Sequence, residues 1–578
     1  MKKLSGELIE SDVLVVGGGL GGALAAIAAS QVLGSGETIT IVDKGMISRS
    51  GQSSFAAGIF TAFDAERDDL DQWMSEIVEW GEYINDQDWC RLMFDRALPI
   101  VRQIDAWGAE MGFTIFERNP DGSFVRRRSR GHMNSKHMVV NSLPMMSTLR
   151  RKMIQQRVKV VDKVMVTDLL LDDDGQPWGA IGLDYVGNQV HVFKAKAIVL
   201  AASGCGFKSI FIGHRNLTGD MLAAAYEAGV EMRNLEQYAN NTCARNYDIH
   251  GLNLYVGIGG KFLNAAGEEF MWKYHPVLGN RARLQDLVLA FCREIREGRG
   301  PIHLDMSAAS PEDRALCRKI LPESFLLWDR AGIDPFSTPV EWIPSFYGTI
   351  TSGGGIHINT RCETNVKYLY AAGDITCEPP HGTYSFGGIN LGFTAVSGWV
   401  AGMSAAEVSR ERQASPYGAA EARTARQVMR KRVAPATHCG GLAPESTYTG
   451  IQETLVPVDV GYLKTEDSLQ RALAKVRRLA EETLPSLGAQ SSHELVKAIE
   501  VGSMIRVAEL MIASALARHE SRGFHFREEY PRTDNENWLK WIMVRKREAE
   551  PDVFTRDVPT PYVQPAEKYS IPPGMRRV

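Results

Sequence analysis

Near the start of the chain the apolar positions form an unbroken run, Val13, Leu14, Val15 and Val16, which ends abruptly in Gly17, Gly18 and Gly19. An alanine-rich run, residues 23–30, follows. A continuous apolar stretch bounded by glycine predicts a buried strand, and the alanine run predicts a helix after a tight turn. A second apolar run over residues 38–42 predicts another buried strand ending at Asp43. Over residues 68–110 the period changes: Trp73, Ile77 and Trp80, then Met93, Ala97 and Ile100, have helical spacing and read as core. Short apolar runs at 158–161, 164–166, 179–183 and 197–202 predict strands, with a turn at 172–175. Thr218 is placed to cap an alanine-rich helix. Residues 242–347 show no sustained period, 368–371 predict a strand running into Gly373 and Asp374, and 391–408 predict a small-residue helix. Beyond 410 the chain reads as helical and charged, with a proline-rich tail.

Two of these junctions carry chemistry. Gly17, Gly19 and Gly22 have G-x-G-x-x-G spacing between strand and helix, which suits a pyrophosphate resting on the positive end of a helix. Asp43 follows the last glycine by about 20 residues, the separation at which an acid bonds a ribose hydroxyl. The loop after it, residues 44–59, is rich in glycine and small hydroxylated residues and suits a flat or anionic neighbour. The run from Arg126 to His132 is expected to be a solvated charged face, with anion binding as the second reading.

Composition narrows the class. A chain of 578 residues exceeds one core, and a net charge of −4 gives no polyanion-binding signal, so no nucleic-acid partner is expected. No stretch reaches the roughly 18 apolar residues needed to span a bilayer. The start of the chain shows no secretory signal, so no direct membrane insertion and a cytoplasmic location are expected. The eight cysteines contain no C-x-x-C, which argues against an iron–sulfur cluster within the chain, and no metal-ligating set stands out.

The glycine motif, Asp43, the segment LAASG at 200–204 and AAGD at 371–374 together resemble the FAD-binding flavoproteins of the succinate dehydrogenase/fumarate reductase superfamily. The run ESRGFHFREEYP at 520–531, followed by DNENWLK at 534–540, looks like that family's C-terminal signature. Arg49-Ser50-Gly51, residues 219–236, Ala244 to Tyr247 and residues 264–269 look most like the adenylylsulfate reductase alpha subunit. The resemblance implies an α/β fold: a Rossmann-like FAD-binding domain (1–241 plus 348–409), interrupted by an α+β capping domain (242–347) and followed by a C-terminal helical domain and tail (410–578). It implies FAD contacts at Gly17, Gly19, Leu20, Gly22, Asp43, Lys44, Ser48, Ser50, Gly51, Gln52, Val166, Ala201, Ser203, Gly204, Asp220, Gly373, Asp374, Gly388, Asn390 and Leu391.

Three departures bear on function. Succinate dehydrogenases tether FAD through a histidine after the Arg-Ser pair, where this chain has Gly51 and Gln52, so non-covalent FAD is expected. Fumarate reductases carry an arginine four residues after the histidine of the H-G segment, and this chain has Ser385 there. That loss removes a bidentate carboxylate partner. The asparagine that adenylylsulfate enzymes place after this Arg-Ser-Gly segment is absent too. The resemblance implies Arg245, Arg283 or Arg281, His357 and His381 as catalytic residues around a small anionic substrate. It also implies electron exchange with a small ferredoxin-like iron–sulfur subunit. The alternatives are a self-sufficient oxidase, as in the aspartate oxidase branch, and a non-catalytic flavin-binding subunit.

Overall fold

The strand Leu8–Val16 pairs in parallel with Ile39–Val42 on one side and Gln189–Leu200 on the other. The computed structural model describes residues 6–570, apart from 57, 129, 210–212, 248, 250, 416, 438–439 and 549. The main sheet runs in the spatial order 159–161, 39–42, 8–16, 189–200, 177–184, 164–171. Leu369–Ala371 returns late in the chain and pairs in parallel with residues 198–200. Val13 to Val16 are buried on both faces, as an all-apolar parallel strand must be. The helix Leu20–Val32 packs on Ile389–Glu411 almost backbone to backbone. A Cβ on Gly398 would lie 2.3 Å from the Gly21 carbonyl oxygen, and one on Gly402 would lie 2.1 Å from that of Ala25. The small-residue helix is therefore a packing requirement of the nucleotide sheet.

A ribbon leads out of this domain and back into it. Ala239–Ala244 pairs antiparallel with Val340–Gly348, so the expected boundaries at 241/242 and 347/348 cut through two partnered strands. Beyond the ribbon, His303–Asp305 and Lys261–Leu263 complete a four-stranded sheet. Helices pack on it around a separate core that includes Tyr255, Phe325, Trp328 and Trp342.

The C-terminal part is helical as far as Ser492–Ala517, a helix buried along its length. The expected helical and proline-rich end instead holds an antiparallel hairpin, Lys540–Arg547 with Glu550–Asp557. Its first strand pairs with Met232–Arg233, which pairs in turn with Gly355–Ile356. Residues 520–527 of the run at 520–531 are buried and belong to an ionic strut. Arg518 donates to Glu236 and Glu520, Arg522 donates to Glu520, and Glu82 meets Arg283 at 3.1 Å. Buried charges of this kind persist only when paired and hydrogen-bonded.

Candidate active site

Where the first strand ends, Gly17 adopts φ +111°, and a Cβ there would sit 2.2 Å from the Ala201 carbonyl oxygen. A Cβ on Gly22 would lie 1.8 Å from the Gly17 carbonyl oxygen, so that glycine serves helix–turn packing and does not reach the cleft. Gly19 caps the helix without a side-chain hydrogen bond and faces a cleft of about 1180 Å³ including its open mouth. A second cavity of about 580 Å³ shares Asp43, Ser50, Gly51, Ala202 and Leu217 with the first. The two form one continuous channel across the carboxyl ends of the parallel strands, where ligands of such sheets bind.

At the smaller end, the Asp43 carboxylate accepts from the Gly18 N–H at 2.7 Å and from the Gly45 N–H at 2.6 Å. Burial pushes this carboxyl above its usual value, and the two N–H groups oppose that push. Gly17, Lys44, Val166 and Asp220 line this end. Lys44 Nζ donates to Thr218 Oγ1 at 2.6 Å, Asp220 at 2.8 Å and Glu500 at 2.9 Å. Burial alone would depress the ammonium, but the two carboxylates more than offset it and hold it above its ordinary value. Thr218 is thus a partner of Lys44, and Gly219 takes the helix cap expected of it.

Leu20, Gln52, Ala201, Ser203, Gly373, Asp374, Gly388, Asn390 and Leu391 line the larger cleft. Gly51 stands at φ +83° with nothing within 4 Å of a Cβ. Ser48 and Gly204 do not line either cavity: Ser48 donates its N–H to the Gly18 carbonyl, and a Cβ on Gly204 would lie 2.1 Å from the Thr349 carbonyl oxygen. Burial raises the Asp374 carboxyl and, with Asp374 nearby, pushes Glu378 well above the carboxylate range.

The far end of the cleft is lined by His214, Asn241, Asn253, Tyr347 and Tyr384, with no lysine or arginine among its described lining residues. Behind it lies Arg130, 1% exposed. Its Nε donates to Asn253 Oδ1 at 2.9 Å and its Nη2 to the Tyr384 hydroxyl at 3.1 Å. The charge pattern of 126–132 predicts a solvated face, yet Arg130 and His132 are both buried. The glycine and histidine that close this charge run were the available signal.

The expected catalytic residues do not converge. Arg245 is surface-exposed and pairs with Glu341 at 2.7 Å, because the ribbon that carries it leaves the cleft at that point. Arg283 is buried among Asp286, Glu82 and the Trp80 carbonyl, where it braces the cap. Arg281 is half-buried, and its carbonyl accepts from the Gly131 N–H. His357 faces the C-terminal hairpin, its Nε2 3.2 Å from Arg556. His381 lies one layer behind the wall: its Nδ1 accepts from the Ser385 N–H and its Nε2 meets Asn390 Oδ1 at 3.1 Å. Burial drops its pKa to about 3, so it is neutral.

A glycine cradle without Cβ atoms, a buried acid at the tip of the second strand and a channel opening into a polar chamber fit a bound dinucleotide. They define a dinucleotide-binding protein of the α/β class. The chain belongs to the FAD binding domain family, whose model matches residues 12–391, and residues 452–577 match the fumarate reductase flavoprotein C-terminal model. One subunit of the fumarate reductase (CoM/CoB) from Methanothermobacter marburgensis is 29% identical over 574 residues, spanning 96% of this chain and 100% of that protein. An E. coli quinol fumarate reductase structure superposes with TM-score 0.86 at 25% identity, covering 97% and 99% of the two chains. Adenylylsulfate reductase from Archaeoglobus fulgidus gives TM-score 0.80 at 20% identity, covering 97% of each chain, a likeness of fold. Among the described residues, no helix is long and apolar enough to cross a membrane.

Proposed function

We propose that this protein is the flavoprotein component of a two-electron oxidoreductase that acts on a small anionic substrate, with FAD held non-covalently. Bound in the channel, FAD would supply the two-electron carrier. Asp43 retains lone pairs for ribose hydroxyls beyond the two N–H bonds it accepts. Gly388, at φ +91°, starts the helix Ile389–Glu411 at the cleft wall, and that N-terminus favours negative charge beside it. One observation carries the anionic reading: Arg130 is buried behind the chamber and has no carboxylate partner among the described residues. A buried cation of this kind calls for an anion beside it.

Electrons would pass to or from a separate, small ferredoxin-like iron–sulfur subunit in the cytoplasm. Support comes from the described cysteines, all of which are isolated buried thiols. The test is anaerobic reduction of the FAD-loaded chain, followed by mixing with small anions, with reduced or oxidised ferredoxin, or with air. Reoxidation by an anion and electron exchange with ferredoxin are expected. Rapid reoxidation by air with stoichiometric peroxide would favour the oxidase alternative.

A further inference from the structure

Five of the largest buried arginines have a carboxylate within 4 Å, four of them hydrogen-bonded to it, while Arg233 has only the longer approach and leaves its Nε and Nη1 without acceptors among the described residues. Arg283 meets Asp286 and Glu82, Arg518 and Arg522 meet Glu520, Arg527 meets Glu466, and Arg233 lies 3.9 Å from Asp86. Arg130 is as deeply buried and has no such partner among the described residues, and its Nη1 is without any hydrogen-bond acceptor. Both of its other contacts are to side chains that line the chamber.

The donor logic at those contacts is one-directional. A guanidinium has no acceptor, so each contact must use an oxygen of its neighbour. Taking Oδ1 of Asn253 leaves the amide Nδ2 hydrogens for another acceptor. Taking a lone pair of the Tyr384 hydroxyl leaves its O–H hydrogen without an acceptor among the described residues. Tyr384 also stands at φ +76°, a left-handed conformation that a bulky residue adopts only when its surroundings impose it. The parallel ring of His381 against one face and Arg130 at 5.0 Å from the ring centroid hold it there. Backbone strain of this kind concentrates at ligand clamps.

We infer that Tyr384 and Asn253 form an anion subsite at the chamber end of the cleft, organised by Arg130, and that it takes a monocarboxylate or an equivalent singly charged oxygen group. The inference rests on the proposed oxidoreductase reading and names the recognition chemistry of that same site. Arg130 offsets one negative charge from behind the wall, and the two neutral donors reach the oxygen directly. With no lysine or arginine among the described residues lining the chamber, a second negative charge would enter without a partner. Arg130 is therefore a positioning residue and Tyr384 a contact residue.

Acetate is the probe, titrated into the FAD-loaded full chain at constant ionic strength while the visible absorption of FAD is followed. A saturable perturbation is expected, weaker with sulfate. Y384F keeps the ring and its stacking but loses the hydrogen, and should raise the acetate Kd about tenfold with FAD content and melting temperature unchanged. R130K should retain part of the affinity that R130M loses, because it keeps the charge and not the fork. Equal acetate affinity in Y384F and the parent protein would overturn the subsite, as would tighter binding of sulfate than acetate. Failure of acetate to perturb a fully FAD-loaded protein would also overturn it, while leaving the flavoprotein reading intact. If the chain binds no FAD, the functional reading fails. Calorimetry of acetate against the FAD-free chain and its Y384F variant then decides the subsite by itself.

Discussion

The imidazole of His381 lies parallel to the phenol ring of Tyr384, with ring centroids 4.5 Å apart and 8° between the planes. Both rings sit in the loop between the strand Leu369–Ala371 and the helix Ile389–Glu411. His381 is tied to the backbone on one side and to Asn390 on the other, so the stack transmits a fixed position to Tyr384. H381A removes the stacked ring and leaves the Ser385 N–H and the Asn390 Oδ1 without their partner, while Asn390 Nδ2 keeps Glu378. A loss of about 2–4 kcal/mol in unfolding free energy is expected. Chemical denaturation of the FAD-loaded protein measures it, and a loss below about 1 kcal/mol would show that the stack does not hold the loop.

His357 gives a pH signature that can be isolated. Burial, with Arg233 and Arg556 adding to it, depresses its pKa from 6.5 to about 3. Above the unfolded value near 6.5, the residue is neutral in both states and its contribution is complete. As pH falls from 6.5 toward 3, the unfolded chain takes up a proton that the folded chain refuses, and stability is lost. H357Q cannot titrate. The stability gap between H357Q and the parent protein should be constant above about pH 7 and move in favour of the variant by up to about 1.4 kcal/mol per pH unit below about pH 6. A gap that stays flat down to about pH 4.5 would place a proton acceptor beside His357 that this geometry lacks.

Asp43 holds the turn as well as facing the cleft. D43A leaves the Gly18 and Gly45 N–H groups without their acceptor, at a cost of about 1–3 kcal/mol, and removes the oxygens offered to the ribose. The purified variant should lose FAD on dialysis, and absorbance of the retentate records it. Retention equal to that of the parent protein would mean that the dinucleotide is held by the glycine cradle alone.

Gly51 and Gln52, where the resemblance to succinate dehydrogenases implies a tethering histidine in covalent flavoproteins, both line the cleft. Acid precipitation should therefore release all yellow colour into the supernatant. Colour retained in the pellet would point instead to His214, the histidine among the described residues lining the cleft.

Arg245 tests the negative side of the site assignment. Its exposed pair with Glu341 is of the kind that contributes little. R245A should change unfolding free energy by less than about 0.5 kcal/mol and leave FAD content and acetate affinity unchanged. A tenfold loss of anion affinity would return Arg245 to the site.

The FAD-binding half was legible because its demands are local. A strand that ends at Gly17, a close approach at Gly22 and an acid at the tip of the next strand are backbone requirements, and they leave their residue types in order along the chain. The same holds for the helix Ile389–Glu411, whose small residues answer to the carbonyls of Gly21 and Ala25. A charged side chain carries no such local mark. Arg245, Arg283 and Arg130 are equivalent as letters, and what separates them is which oxygens the fold brings to them. Glu341 arrives on the paired strand and takes Arg245 to the surface, and Glu82 and Asp286 enclose Arg283 beneath the cap. No carboxylate among the described residues arrives at Arg130, which meets only the oxygens of Asn253 and Tyr384. The sequence by itself determined the cradle, the acid and the order of the domains, because short-range sterics fix them. Only the tertiary structure decided which arginine stands uncompensated behind the chamber, because burial of a charge and the placing of its counter-charge are settled by chain segments that meet only on folding.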